Sequence, residues 1–225
     1  MKLKKFLRYL GLYAGSLLAL VWALAPVYWI IVSSISTRAE LLAKPYKHWI
    51  PQAPTLQNFV DILTSGQKYR AGGTLPTSEL LLSGLRNSII LSVAVAVLVT
   101  FVALLAGYIF ARMKFRLKGA AFNYIMLLMP LPIWVSLVSL YFMMSRIKLT
   151  DSVTGLVLIL ATVALPLAVL LMTTFIRDIP LEIEEAAFID GASRWQTIWH
   201  VIFPLVLPGS TSAFLVSFLN TWNAY

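Results

Sequence analysis

Residues 87–111 read NSIILSVAVAVLVTFVALLAGYIFA, with no Asp, Glu, Lys or Arg among them. About 20 apolar residues, at a rise of about 1.5 Å each, cross a hydrocarbon core of roughly 30 Å. The stretch suffices for one membrane-spanning helix and is too short for two. Four further runs repeat the pattern: 9–37, 119–145, 152–176, and 195–225, the last interrupted only by His200. The last run becomes a span only after Pro204. Five helices are therefore expected, over about 10–34, 88–111, 120–144, 153–176 and 205–225.

Composition agrees with the runs. Of 225 residues, 60% are hydrophobic and 12% charged, against about 45–50% and about 25% in a soluble domain. A soluble enzyme, a disordered chain and an ordinary nucleic-acid binder are excluded. The net charge of +9 then reads as basic residues holding loops on the cytoplasmic side of a membrane. With no cysteine, disulfides, thiolate zinc sites and cysteine nucleophiles are excluded.

Lys2, Lys4, Lys5 and Arg8, followed by apolar sequence and Ala23-Leu24-Ala25, have the look of a signal peptide. The apolar run continues well past the length of about 7–15 residues typical of a signal core, so a retained anchor helix is expected. The loop after the second run carries Arg112, Lys114, Arg116 and Lys118 and no acid. It and the amino terminus are assigned to the cytoplasm. Residues 37–86, with Pro45, Pro51, Pro54 and Pro76, are then external. So is the short loop of Arg146, Lys148 and Asp151. Three regions result: 1–36, tail and first span; 37–86, external loop region; 87–225, a core containing a cytoplasmic segment at 178–204.

That segment concentrates acid. Of nine Asp and Glu residues in the chain, Asp178, Glu182, Glu184, Glu185 and Asp190 fall within 178–190. Two short helices are expected there. Asp178 is placed as the cap of the first and Pro180 in its opening turn. Glu182, Glu184 and Glu185 lie near its positive end. Gly191 is placed at the left-handed stop. Ser193 is placed as the cap of a second helix running to about Phe203, and Pro204 opens the next span. Two uses fit. Ile183, Ala186, Ala187 and Ile189 rest on lipid in an interfacial helix, or the segment docks a soluble partner. Lipid-surface helices are usually basic, so the acids favour the partner.

Glu185-Ala186-Ala187, Gly191 four residues on, and Pro204 have the spacing of E-A-A-x3-G-x9-I-x-L-P, with Val201 and Phe203 in place of Ile and Leu. This resembles the EAA loop of ABC-importer permeases. Ile179-Pro180, Asp190-Gly191-Ala192 and Trp195 resemble the carbohydrate branch, the maltose-uptake type. So do residues 54–59 (PTLQNF), Asn87-Ser88, Ala111-Arg112 and Trp222-Asn223-Ala224-Tyr225. The resemblance covers essentially the whole chain and implies an all-α, polytopic transmembrane bundle with the type I importer permease fold. It implies a bacterial or archaeal cytoplasmic membrane, multi-pass, with the amino terminus in the cytoplasm. Such permeases usually have six spans, so the sixth is expected beyond Tyr225 and the sequence is read as a fragment.

The resemblance further implies a transport subunit that is not itself an enzyme. Its partners would be a homologous second permease, two ATP-binding subunits and an external solute-binding protein. ATP and magnesium would be held by the ATPase, with no cofactor in this chain. The chain shows no G-x-x-x-x-G-K-[ST] phosphate loop. The ATPase-coupling residues are implied to be Glu185, Ala186, Ala187, Asp190, Gly191 and Pro204. Glu185 would make the polar contact, the alanines would permit close packing, and Gly191 would make the turn.

His48 and His200 are isolated, in no metal-ligand spacing, and the serines lack a nucleophile elbow. The apolar runs hold no Asp, Glu, Lys or Arg, which argues against a proton or sodium relay and suits a neutral solute such as a sugar. Candidate path residues are Trp134, Ser136, Ser139 and Tyr141 in the third run, and Ser217, Asn220, Thr221 and Asn223 in the fifth. Their alternative role is to bond neighbouring helices. Trp134, Tyr28 and Trp29 also fit a membrane-interface belt. Pro26, Pro130, Pro132, Pro166 and Pro208 are expected to kink their helices. The other readings are a permease for a polyol, a glycerol phosphodiester or an amino acid, a secondary transporter working without ATP, and a membrane anchor whose acidic loop recruits a partner.

Overall fold

In a computed structural model, the described backbone covers residues 2–43, 49–64, 69–70, 73–74, 78–130 and 133–224, and the described side chains cover 4–43, 49–63, 81–130 and 138–224. The chain divides into two compact units, Met1–Ser83 and Gly84–Tyr225.

In the first unit, α1 (Lys2–Ile35) extends the expected span through its basic start. Lysine, leucine and arginine are good helix formers, and nothing in 2–9 breaks the helix. Pro26 lies inside it. The α1 side chains are exposed almost throughout, Trp22 to 82%, as a helix solvated by lipid requires. The region expected as a loop carries structure. It contains α2 (Arg38–Leu42), α3 (Gln57–Thr64) and a two-residue hairpin, β1 (Tyr69–Arg70) paired antiparallel with β2 (Gly73–Thr74). The last carbonyls of a helix have no partner within it. Here the Asn58 amide donates to the Ser34 and Ser36 carbonyls at 2.9 and 3.0 Å. Thr55 N–H donates to the Ile35 carbonyl at 2.8 Å. The PTLQNF stretch thus closes the end of α1. Tyr28 and Trp29 also work locally: the Tyr28 hydroxyl donates to the Trp49 carbonyl at 2.5 Å, and the Trp29 and Trp49 rings meet edge to face at 5.6 Å.

The second unit is built on α4 (Ser78–Arg112), from Gly84 onward, and α7 (Val153–Arg177). The α4 helix starts about ten residues before the expected boundary, because 78–86 contains no proline and the two charges of Glu79 and Arg86 do not stop a helix. The α7 helix matches its apolar run, and the Ser152 hydroxyl caps it by accepting from Gly155 N–H at 3.0 Å. Val95, Val99 and Ala103 form a fully buried stripe on α4, at the four-residue spacing of one helix face. Met172 and Ile176 of α7, together with Ile202 and Ala213, complete the core. Helix backbones approach closely at glycines, as membrane packing favours. A Cβ on Gly107 of α4 would stand 2.8 Å from the Met172 Cβ, and one on Gly209 would stand 2.5 Å from the Phe175 ring.

The third run is not the single helix expected. It gives α5 (Lys118–Leu127), a turn over 128–130, and α6 (Ile133–Arg146). At about 1.5 Å per residue each piece is about half to two-thirds of a bilayer core. The Pro130-Leu131-Pro132 sequence accounts for the division: a helix cannot keep its hydrogen bonds through two prolines spaced this closely. The fifth run is also divided. The α9 (Arg194–Thr197), a π-helical turn (Ile198–Ile202) and α10 (Phe203–Leu205) run on from one another, and α11 (Leu207–Ala224) then departs at 79°. Pro208 falls in the first turn of α11 rather than inside a kinked span, where its missing N–H costs nothing. Among the described residues three helices are long and apolar enough to cross a membrane, or four with the bent pair counted as one span.

Candidate functional site in the segment between α7 and α11

Arg177 closes α7, and the next residues reverse the chain. Asp178 is the C-cap of α7, not the N-cap of the following helix, and its N–H donates back to the Thr174 carbonyl at 3.2 Å. The short helix α8 (Leu181–Ile189) has Pro180 at its N-cap and no side-chain cap. A residue before proline is steered out of the helical region, so α7 must end by Ile179 and α8 must begin after Pro180.

The end of α8 is a Schellman turn. Gly191 takes φ +87°. Its N–H donates to the Phe188 carbonyl at 3.1 Å, and Ala192 N–H donates to the Ala187 carbonyl at 2.9 Å. Asp190 is the C-cap. Ser193 then opens α9 with a reciprocal capping box: Gln196 N–H donates to the Ser193 hydroxyl at 3.3 Å, and Ser193 N–H donates to the Gln196 side chain at 2.8 Å. The two short helices are thus joined by four residues, 190–193, whose backbone groups are largely bonded within the turn.

Around this turn the sequence-predicted residues are at the surface. Glu185, Ala186, Asp190, Gly191 and Pro204 are exposed, and Ala187 is half-buried. Ile189 is 86% exposed and Trp195 58%, with Phe188 also exposed. The turn therefore presents apolar side chains beside acids.

The acid that turns inward is Glu184, which sequence reasoning passed over. It is 3% exposed. One carboxylate oxygen pairs with Arg112 Nε, and the other accepts from the Tyr108 hydroxyl at 3.2 Å. Arg112 also donates from Nη2 to the Ile179 carbonyl at 2.6 Å. Tyr108 and Arg112 are four residues apart and share one face of α4. Arg112 is therefore a nearly buried ion-pair partner rather than a free loop charge. Its position one residue past a long apolar run was the available signal. A second contact reaches α4 through Trp199, whose ring stacks on Phe101 at 6.0 Å and meets Trp195 and Phe203 at 5.6 and 5.5 Å.

The candidate path residues divide. Tyr141 of α6 and Asn223 of α11 line one cavity of about 700 Å³, with Thr150, Asp151 and Ser152 at its polar edge and aliphatic side chains from α6 and α7 beneath. It lies at the Val153 end of α7, about 36 Å along the helix from Arg177. Asn220 is exposed and is not part of that wall, and Ser139 is exposed. Ser217 and Thr221 are buried. The side chains of Trp134 and Ser136 lie outside the described residues. His200 is exposed, with Nδ1 3.1 Å from the Gln196 carbonyl one turn back. Among the described residues no group of three or more His, Cys, Asp and Glu is placed to hold a metal.

The family described as binding-protein-dependent transport system inner membrane component matches residues 100–225. The chain is 31% identical over 212 residues to the sulfoquinovosyl glycerol transport system permease protein SmoH of Agrobacterium fabrum, covering 94% of this chain and 69% of that one. It is 34% identical over 203 residues to the trehalose transport system permease protein SugB of Mycobacterium tuberculosis, covering 90% and 68%. A solved bacterial ABC transporter involved in the import of the acidic polysaccharide alginate superposes with a TM-score of 0.78 at 21% identity, over 97% of this chain and 72% of that chain. The fold is that of an ABC-importer permease, a membrane-embedded helical bundle. Over more than half of its length the chain matches that family model, and it is a member of the binding-protein-dependent transport system inner membrane component family.

Proposed function

We propose that this chain is a membrane subunit of an ATP-driven importer that passes a small solute, a sugar, delivered by an external solute-binding protein. ATP, with magnesium, is bound and hydrolysed by a separate subunit, and this chain couples to that subunit through residues 178–204. A homologous second permease completes the path, and two ATP-binding subunits serve the pair.

The observation that carries the reading is the Gly191 turn. Its backbone is locked by two Schellman bonds and a capping box, while Phe188, Ile189 and Trp195 stand exposed around it. A rigid turn with an apolar face and flanking acids is suited to transmit force from a docked protein. A lipid surface would favour basic residues instead. The positive-inside rule assigns the basic amino terminus and the loop at 113–117 to the cytoplasm, and alternation of the spans then puts this segment on the same side. The cavity lined by Tyr141 and Asn223 is then near the external end, where a hydroxyl and an amide suit a polyhydroxylated solute. The permease relatives named for sulfoquinovosyl glycerol, trehalose and diacetylchitobiose support a carbohydrate.

The test is purification from native membranes, followed by uptake in proteoliposomes. An ATPase subunit and a second permease are expected to co-purify, and sugar uptake is expected to need ATP and the binding protein. Glu185→Lys and Gly191→Pro are expected to lose the ATPase while still inserting. Uptake without ATP, by this chain alone, would establish a secondary transporter instead. Normal assembly and uptake in both variants would remove the coupling role from this turn.

A further inference from the structure

The chain connects the 178–204 segment covalently to α7 and α11. Two of its side-chain attachments go elsewhere, to α4. Glu184 is held by Arg112 and Tyr108. Arg112 also holds the carbonyl of Ile179, the residue at the joint between α7 and α8. Farther along α4, Phe101 carries the Trp199 ring. The two attachments are eleven residues apart, about 16 Å on the helix axis. Two separated points fix rotation as well as translation. One is an ion pair almost removed from water, with side chains 9% and 4% exposed, and separating such a pair leaves a buried charge uncompensated.

We propose that Glu184 is a positioning residue: through Arg112 it ties the α8–α9 segment to α4, so that displacement of the segment enters the bundle through α4 as well as through α7 and α11. The proposal rests on the importer reading. In that setting Glu185 and the exposed residues meet the ATPase, and Glu184, one position earlier, faces the other way and holds the moving part to the membrane helix. Neighbouring acids on one short helix thereby have separate tasks, contact outward and transmission inward.

The experiment uses the whole complex in proteoliposomes, with the ATPase and the solute-binding protein, and reads ATPase content, ATP hydrolysis and solute taken up per ATP. Glu184→Gln keeps the shape and removes the charge. The ATPase is expected to remain bound and to hydrolyse ATP, while uptake per ATP falls by about tenfold, within the usual range of inter-site coupling. Reversing the pair, Glu184→Arg with Arg112→Glu, is expected to restore part of the ratio. An unchanged uptake per ATP in Glu184→Gln overturns the proposal. So does loss of the ATPase from that complex, which would make Glu184 part of the docking surface. If Glu184→Gln fails to accumulate, Tyr108→Phe decides: it removes one bond to the same carboxylate and is expected to lower uptake per ATP, and an unchanged ratio there overturns the idea equally. Failure of the importer reading looks different, because the unmodified complex would then lack the ATPase or ATP-dependent uptake.

Discussion

Gly107 of α4 faces Met172 of α7 so closely that a Cβ on the glycine would lie 2.8 Å from the Met172 Cβ, and 3.0 Å from both the Met172 carbonyl carbon and the Thr173 nitrogen. The obstacle is largely backbone, not the flexible end of a side chain. Gly107→Ala is therefore expected to destabilise by about 1–3 kcal/mol, the usual range for overpacking. Met172→Ala is not expected to rescue it, since the Cβ and backbone remain. Thermal melting in detergent checks both, and a Gly107→Ala protein that melts like the parent would mean that the helices separate at no cost.

Gly191 presents the opposite case. Nothing lies within 4 Å of a Cβ built there, yet φ is +87°. The penalty for a side chain is conformational, about 1–2 kcal/mol for an ordinary residue and less for Asn. ATPase retention is expected to rank Gly191, then Gly191→Asn, then Gly191→Val. Equal retention in all three would show that the left-handed turn is dispensable.

Asn58→Ala removes both side-chain donors from the carbonyl end of α1. Two polar groups then lose their partners, at a cost of about 1–3 kcal/mol. Limited proteolysis is expected to cut within 37–86 several times faster, with the rest of the chain unaffected. A cleavage rate equal to the parent's would mean that PTLQNF is held by something other than Asn58.

The absence of native cysteine makes topology directly measurable. Single cysteines at the exposed positions Arg116 and Lys148 are expected to label from opposite faces. An impermeant reagent applied outside intact cells should reach Lys148→Cys only. Labelling of Arg116→Cys under those conditions would invert the arrangement.

Charge-free runs revealed α7 almost to the residue, because Asp151 and Arg177 bracket a stretch without a break. Ser193 and Gly191 were equally legible, since capping and left-handed geometry depend on a few neighbours. Asp178 was misplaced for the same locality: it suits either end of a junction, and the restriction imposed by Pro180 decided which. The early start of α4 and the division at Pro130 show where hydropathy stops informing, since it counts apolar residues without counting backbone hydrogen bonds. Glu184 was the harder case. Five acids in a row of thirteen residues look alike in composition. Arg112 and Tyr108, more than seventy positions earlier in the chain, single one of them out.

The π-helical turn at Ile198–Ile202 has a bearing on how any mutational scan of this region is read. A π turn closes over one more residue than an α turn, so Phe203–Leu205 are phased roughly 100° from where an α-helix begun at Arg194 would put them, and α11 then starts its own phase on an axis turned by 79°. Substitutions tolerated or refused along 194–224 will thus follow two interleaved rhythms, with the change of beat at the turn. A scan fitted to one period would blur them into noise. Fitted as two, the beats should name which side of each half faces the other helices, without any further coordinates.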